Sequence, residues 1–176
     1  MVSIRALRQE DDRATFHSGN EDLDRFFRKY AAANQFSEHI GTTYVAVEDG
    51  GKILGFVTLA GAAISADSFP STRIRRLPAY PLPALRLARL AVSADTRKRG
   101  IGSLLIRYAF AQALEQTARV GCIGVVVDAK PEAVHFYERL GFERQETLEG
   151  KIPSRPEPLP MFLHISTIKA AIQLSD

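Results

Sequence analysis

A single cysteine, Cys122, is all the thiol this 176-residue chain contains. It excludes an internal disulfide and any multi-cysteine metal site, and its setting in GCIGVVV reads as a small buried thiol. No apolar run reaches the ~20 residues that a membrane-spanning helix needs. The N-terminus lacks the charged-then-apolar pattern of a secretory leader, so a cytoplasmic protein with no membrane partner is expected. Repeats, low-complexity tracts and linkers are also missing, so the expectation is one domain, 1–176, able to bury its own core. No cluster of His, Asp and Glu suggests a metal. No Ser-His-Asp order or nucleophile elbow suggests a covalent acyl-enzyme.

What is present is an ordinary globular composition, 45% hydrophobic and 24% charged, with its charge unevenly placed. Arg73, Arg75, Arg76, Arg86, Arg89, Arg97, Lys98 and Arg99 stand in one segment against a single acid, Asp95. That segment carries +7, leaving −4 for the remainder of a chain whose net charge is +3. Such a block is either a solvated basic face or a surface for a polyanion.

Alternation in VSIRAL predicts a first strand, and residues 18–36 predict a helix. Asn20 is its N-cap, Glu21 and Asp22 favour the positive dipole end, and Leu23, Phe26, Phe27, Tyr30 and Ala31 form one stripe. TTYVAVED and KILGFVTLAG flank Gly50-Gly51 and read as an antiparallel hairpin. Residues 65–83 hold four of the nine prolines and no period, hence an irregular excursion. ALRLARLAV resumes as a strand, a helix runs from the following glycines to about Thr117, and CIGVVVDA reads as a strand buried on both faces. Pro131 opens a helix over EAVHFYERL that Gly141 ends, then FERQETL and LPMFLHIS form a last pair of strands before a short closing helix. The fold class expected is α+β around a mixed sheet.

The turn from the strand ending at Val92 into the next helix is the first chemical signal. A helix start exposes unpaired N–H groups and the positive dipole end, which suits phosphate. Gly100 and Gly102 allow close backbone approach, and Arg97, Lys98 and Arg99 add charge where two linked phosphates would lie. The spacing Arg-x-x-Gly-x-Gly lacks the Gly-Lys-Ser/Thr of a Walker loop and the third glycine of the dinucleotide fingerprint.

LARLAVSADTRKRGIGSLLIRYAF followed by VVVDAKPEAVHFYERLGFE resembles the GNAT superfamily of acyl-CoA-dependent N-acetyltransferases. Arg97, Gly100 and Gly102 match its pyrophosphate signature, and Ala133, Tyr137, Gly141 and Phe142 match its A-x-x-x-Tyr-x-x-x-Gly-Phe ending. One position departs: many members carry a pantetheine-touching Asn where this chain has Lys130. The resemblance implies the GNAT fold, a mostly antiparallel sheet of about six or seven strands, flanked by helices and splayed between strands 4 and 5. It implies acetyl-CoA as co-substrate. Leu90, Ala91 and Val92 would meet the thioester arm, Arg97, Lys98, Arg99, Gly100, Ile101, Gly102 and Ser103 the pyrophosphate, with Asp128 and Phe136 also contacting the cofactor.

Acetyl transfer to an amine needs a neutral amine, a stabilised oxyanion and a proton for the departing thiolate. Tyr137 is the candidate acid, since free phenol titrates near ~10 and a thiol near ~8.5. The backbone N–H of Val92 is a candidate oxyanion donor. His135 lies two residues from Tyr137 and points elsewhere, and His17, His39 and His164 read as ordinary surface or core.

Phe16, Ser18, Gly19, Leu23, Asp24 and Phe26, with the proline-rich approach of Tyr80, Pro81 and Pro83, resemble the TacT-type GNAT toxins that acetylate aminoacyl-tRNA. That resemblance implies action on the α-amine of aminoacyl-tRNA, a block on translation, a ribbon-helix-helix antitoxin as partner and a homodimer. Arg73, Arg75, Arg76, Arg86 and Arg89 precede the cofactor loop and are the RNA-binding candidates, because CoA alone does not account for them. Two other readings remain open at this point: a GNAT acting on a small amine or a peptide or protein N-terminus, and a non-catalytic acyl-CoA-binding regulator.

Overall fold

Runs of β-branched and alternating apolar residues form seven strands, and the helices fall where the apolar spacing changes to that of a helix. The computed structural model describes residues 1–68, 77–78, 80–145 and 158–173. In chain order the elements are β1 (Val2–Ala6), α1 (Glu21–Lys29), α2 (Ala31–Phe36), β2 (Thr42–Glu48), β3 (Ile53–Ile64), β4 (Leu82–Val92) and α3 (Ile101–Arg119). They continue as β5 (Gly124–Ala129), α4 (Val134–Arg139), β6 (Glu143–Arg144), β7 (Leu159–His164) and α5 (Ile165–Gln173). The sheet order is β1-β2-β3-β4-β5-β7-β6. β1 with β2, β2 with β3, β5 with β7 and β6 with β7 are antiparallel, whereas β4 and β5 run parallel. This is the mixed, mostly antiparallel α+β sheet that the sequence predicts.

The chain divides into two compact units, one of Met1–Ala60 with Leu87–Ala111, the other of Gly61–Arg86 with Gln112–Asp176. Aromatic packing dominates the first. Phe27 and Phe56 stack at 4.4 Å between centroids, and Phe16 meets both edge-on at 4.9 and 5.5 Å. Leu7, Phe26, Val45, Val47, Ile53 and Ala91 close around them. In the second unit Ile64, Leu82, Ala84, Val126 and Phe162 form the core, with Leu77 and Ile123 packed against it.

Three local expectations need correction. The helix expected over residues 18–36 is two helices that meet at Tyr30, whose φ widens to −116° and whose side chain is exposed rather than on the buried stripe. Asn20 does cap the first, accepting from Leu23 N–H at 3.1 Å. The helix expected from Pro131 begins as a 3-10 turn, Pro131–Ala133, and becomes α-helical only at Val134. Of FERQETL, Glu143–Arg144 is strand, and residues 146–148 lie outside the described residues. Gly50 and Gly51 close the hairpin with φ of +99° and +88°.

Candidate functional site

In the first unit the turn after β4 is held from several sides. Ser93 N–H donates to the Leu54 carbonyl at 2.8 Å, and Ala94 N–H donates to the His17 carbonyl at 2.9 Å. Thr96 is buried, its hydroxyl 3.2 Å from the carbonyls of both Leu54 and Ser93. Arg97 Nη2 donates to the Ser18 carbonyl at 2.6 Å. Arg99 Nη2 donates to Glu48 Oε1 at 2.7 Å, and that hydrogen bond pulls the half-buried Glu48 carboxyl below the usual carboxylate range. Lys98, at φ +67°, is exposed.

The first bond of α3 runs from Leu104 N–H to the Gly100 carbonyl at 3.1 Å. The N–H groups of Ile101, Gly102 and Ser103 therefore open the helix as the orphan donors that an anion takes up. The two glycines have different reasons. Gly100 sits at φ +76°, where a side chain is strained. At Gly102 a Cβ would meet Val92 Cγ2 at an ordinary 3.6 Å, so no atom of the chain requires glycine there. Ala91 of β4 is buried, with its carbonyl 2.8 Å from where a Gly55 Cβ would stand, and Leu90 and Val92 are half-buried.

Sequence reasoning gave Asp24 no role beyond its motif. Its side chain is nearly sealed, the residue being 1% exposed. Oδ1 accepts from Ser18 N–H at 2.8 Å and from Ser18 Oγ–H at 2.6 Å, and Oδ2 lies 3.1 Å from His17 Nδ1. Burial alone would raise this carboxyl, but the two Ser18 hydrogen bonds and His17 outweigh it and hold Asp24 below its ordinary value. His17 is thus paired, although 71% of its side chain is exposed. A carboxylate on the buried side of α1, six residues from a Ser-Gly, was the available signal.

In the second unit α4 carries Tyr137, 6% exposed, with its ring 5.2 Å from Phe136 and 5.3 Å from Phe142, both edge-on. Burial pushes its phenol up to about 12. The ending of the motif shapes this helix stop: Leu140 and Phe142 N–H donate to the Tyr137 carbonyl at 3.0 and 3.1 Å, and Gly141 takes φ +93°. His135 is exposed and pairs with Glu138 at 3.1 Å. Asp128 on β5 forms an ion pair with Arg86 on β4 at 2.6 Å, joining one cofactor candidate to one RNA candidate.

Among the RNA candidates, Arg89 lies 3.9 Å over the Phe26 ring in the first unit, and burial lowers its guanidinium. Arg73, Arg75 and Arg76 lie outside the described residues. Among the described residues, no helix is long and apolar enough to cross a membrane.

The chain belongs to the acetyltransferase (GNAT) family, whose domain model matches residues 39–144. Within that family it is 31% identical over 169 residues to the tRNA-acetylating toxin of Mycobacterium tuberculosis, covering 96% of this chain and 95% of the relative. The fold matches AtaT complexed with acetyl-methionyl-tRNAfMet at a TM-score of 0.85 and 23% identity, over 98% of this chain and 99% of that one. It also matches a tyrosine-to-phenylalanine AtaT mutant bound to the C-terminus of the antitoxin AtaR and to acetyl-CoA, at a TM-score of 0.75 and 20% identity, over 98% and 99% of the two chains.

Proposed function

We propose that this chain is a toxin that transfers acetyl from acetyl-CoA to the α-amino group of an aminoacyl-tRNA and so blocks translation. The observation that carries the reading is the 31% identity to a tRNA-acetylating toxin along 96% of the chain. The orphan N–H groups of Ile101, Gly102 and Ser103 receive the pyrophosphate, with Lys98 adding charge. Leu90, Ala91 and Val92 lie along the thioester arm, where Val92 N–H steadies the oxyanion. Arg73, Arg75 and Arg76 meet the RNA backbone. A ribbon-helix-helix antitoxin and a second copy of the chain are the expected protein partners.

In the transfer step the amine attacks the thioester carbonyl carbon, the C–S bond breaks, and the thiolate takes the proton of Tyr137. The tyrosinate recovers a proton from the new ammonium centre through solvent. A phenol held near about 12 is protonated throughout the physiological range, as an acid must be. The desolvation that raises it also raises a thiolate formed beside it, so their free values of ~10 and ~8.5 remain a fair guide to the transfer. An α-amine on an ester-linked amino acid is less basic than a lysine amine, so a strong general base is unnecessary.

Labelled acetyl-CoA and charged tRNA test this reading. Label on the aminoacyl group, released with it on deacylation, is the expected result. Label confined to free amines, peptide or protein N-termini supports a different acceptor, and no transfer with tight acetyl-CoA binding supports a non-catalytic regulator.

A further inference from the structure

We propose that Asp24 is a positioning residue for the phosphate-binding turn, acting through Ser18, Gly19 and Arg97. The inference rests on the acetyl-CoA reading above. Four observations meet here. First, a buried carboxylate is expensive unless fully hydrogen-bonded, and Asp24 is nearly sealed yet bonded on both oxygens to residues 17 and 18. Those bonds bind the segment before α1 to the first turn of α1.

Second, the carbonyls of the same two residues are the acceptors that hold the cofactor turn. His17 O takes Ala94 N–H at 2.9 Å, and Ser18 O takes Arg97 Nη2 at 2.6 Å. Third, Gly19 has φ +89°, and a Cβ there would stand 2.8 Å from Arg97 Nη2. The glycine both permits the backbone turn and leaves the space that the guanidinium occupies. Fourth, Arg97 and Arg99 are each engaged by unit-one acceptors, Ser18 O and Glu48, whereas Lys98 projects from a left-handed residue between them.

Together these assign separate duties within the basic run. The Arg97 side chain is a tie that fixes the shape of the turn, the helix-start N–H groups are the anion cradle, and Lys98, exposed and without an ion pair among the described residues, is its cation. Asp24 sets the height and direction of the carbonyl to which Arg97 is tied. A change at Asp24 therefore alters affinity for the diphosphate part of the donor and leaves transfer from bound donor unchanged.

The test uses the full chain with Gly19→Ala, Asp24→Asn and Arg97→Gln. Binding of acetyl-CoA is measured by calorimetry, and steady-state transfer is measured with acetyl-CoA and with acetyl-pantetheine, which lacks the diphosphate. Gly19→Ala and Arg97→Gln are expected to weaken acetyl-CoA binding and raise its KM about tenfold at unchanged kcat, the size of one lost charge-assisted hydrogen bond. Gly19→Ala should behave as wild type with acetyl-pantetheine. Asp24→Asn retains an oxygen for Ser18 and should be milder than Gly19→Ala, a partial rescue within the same site. Circular dichroism of each variant checks folding, and a variant that does not fold is replaced by Ser18→Ala, which removes one bond to Asp24 and leaves the backbone bond. Equal losses with both donors would overturn the inference, as would wild-type acetyl-CoA affinity in Gly19→Ala or in Asp24→Asn. Failure of the wild-type chain to bind acetyl-CoA would instead overturn the proposed function.

Discussion

Gly100 and Gly102 stand two residues apart in one turn, and substitutions should separate them. Alanine at Gly100 must adopt φ near +76° and is expected to cost about 1–2 kcal/mol in a denaturant melt. Alanine at Gly102 meets only Val92 at 3.6 Å and should leave the melt within about 0.5 kcal/mol while weakening acetyl-CoA binding. Equal destabilisation by both would remove the ligand-based reason for Gly102. Tyr137 offers a second test at this scale. Removing its hydroxyl in Tyr137→Phe should lower the transfer rate by about 10²–10⁴ if it is the acid. With the phenol pushed up to about 12, the wild-type rate should rise as the acceptor amine deprotonates and show no fall from Tyr137 below about pH 10. Stability has the matching sign. Below the free value near ~10 both folded and unfolded forms hold the proton, so Tyr137 adds no slope. Between about 10 and about 12 the unfolded chain alone releases it, so stability falls by roughly 2–3 kcal/mol. Tyr137→Phe should flatten that alkaline loss in melts recorded across the window, and an unchanged slope would assign the loss elsewhere.

β5 and β7 set the tightest packing of any described glycine, and the effect belongs to the pair of strands. A Cβ at Gly124 would overlap the Leu163 carbonyl and lie 2.6 Å from the Phe162 ring. Gly124→Ala must push β7 outward and is expected to cost about 2–3 kcal/mol by overpacking. Gly61 in β3 has nothing within 4 Å, so Gly61→Ala in the same melt should fall within about 0.5 kcal/mol of wild type. Elements of this length were largely readable in the chain. Period-two runs and the Gly-Gly turn identify β1 to β3 because strand pairing and hairpin geometry leave their mark on adjacent residues. The junction at Tyr30 was not readable, because α1 and α2 continue one apolar spacing across that single residue. The same contrast governs the site. Arg97, Gly100, Gly102 and Tyr137 sit in short motifs, whereas the bond from Arg97 to Ser18 spans 79 positions and has no local signature. The candidate acid and loop were thus visible in sequence, and the group that holds the loop was not.

Charge and continuity are properties of the whole chain. β3, β4 and α3 each pass from one unit to the other within the element, after Ala60, Arg86 and Ala111, so these crossings display no linker in the sequence. We propose that 1–176 unfolds as one cooperative domain, with far-ultraviolet and tyrosine signals tracing a single denaturation curve; separated curves would divide it. The basic segment from Arg73 to Arg99 divides further under the structure. Arg97, Arg99, Arg86 and Arg89 are engaged by Ser18, Glu48, Asp128 and Phe26 respectively. Charge already compensated by a carboxylate adds little to counterion release, so Arg86→Ala should barely change how tRNA affinity depends on salt. Arg73, Arg75 and Arg76 are where the RNA reading expects phosphate contact. Replacing all three by alanine should reduce the slope of log affinity against log salt by about two to three, the release expected for three phosphates. Acetyl-CoA affinity, which the proposed function assigns to the turn after β4, should stay at the wild-type value. A triple variant with an unchanged salt slope would remove those arginines from the RNA surface, and one that loses acetyl-CoA as well would show that the basic segment acts as a single anion site.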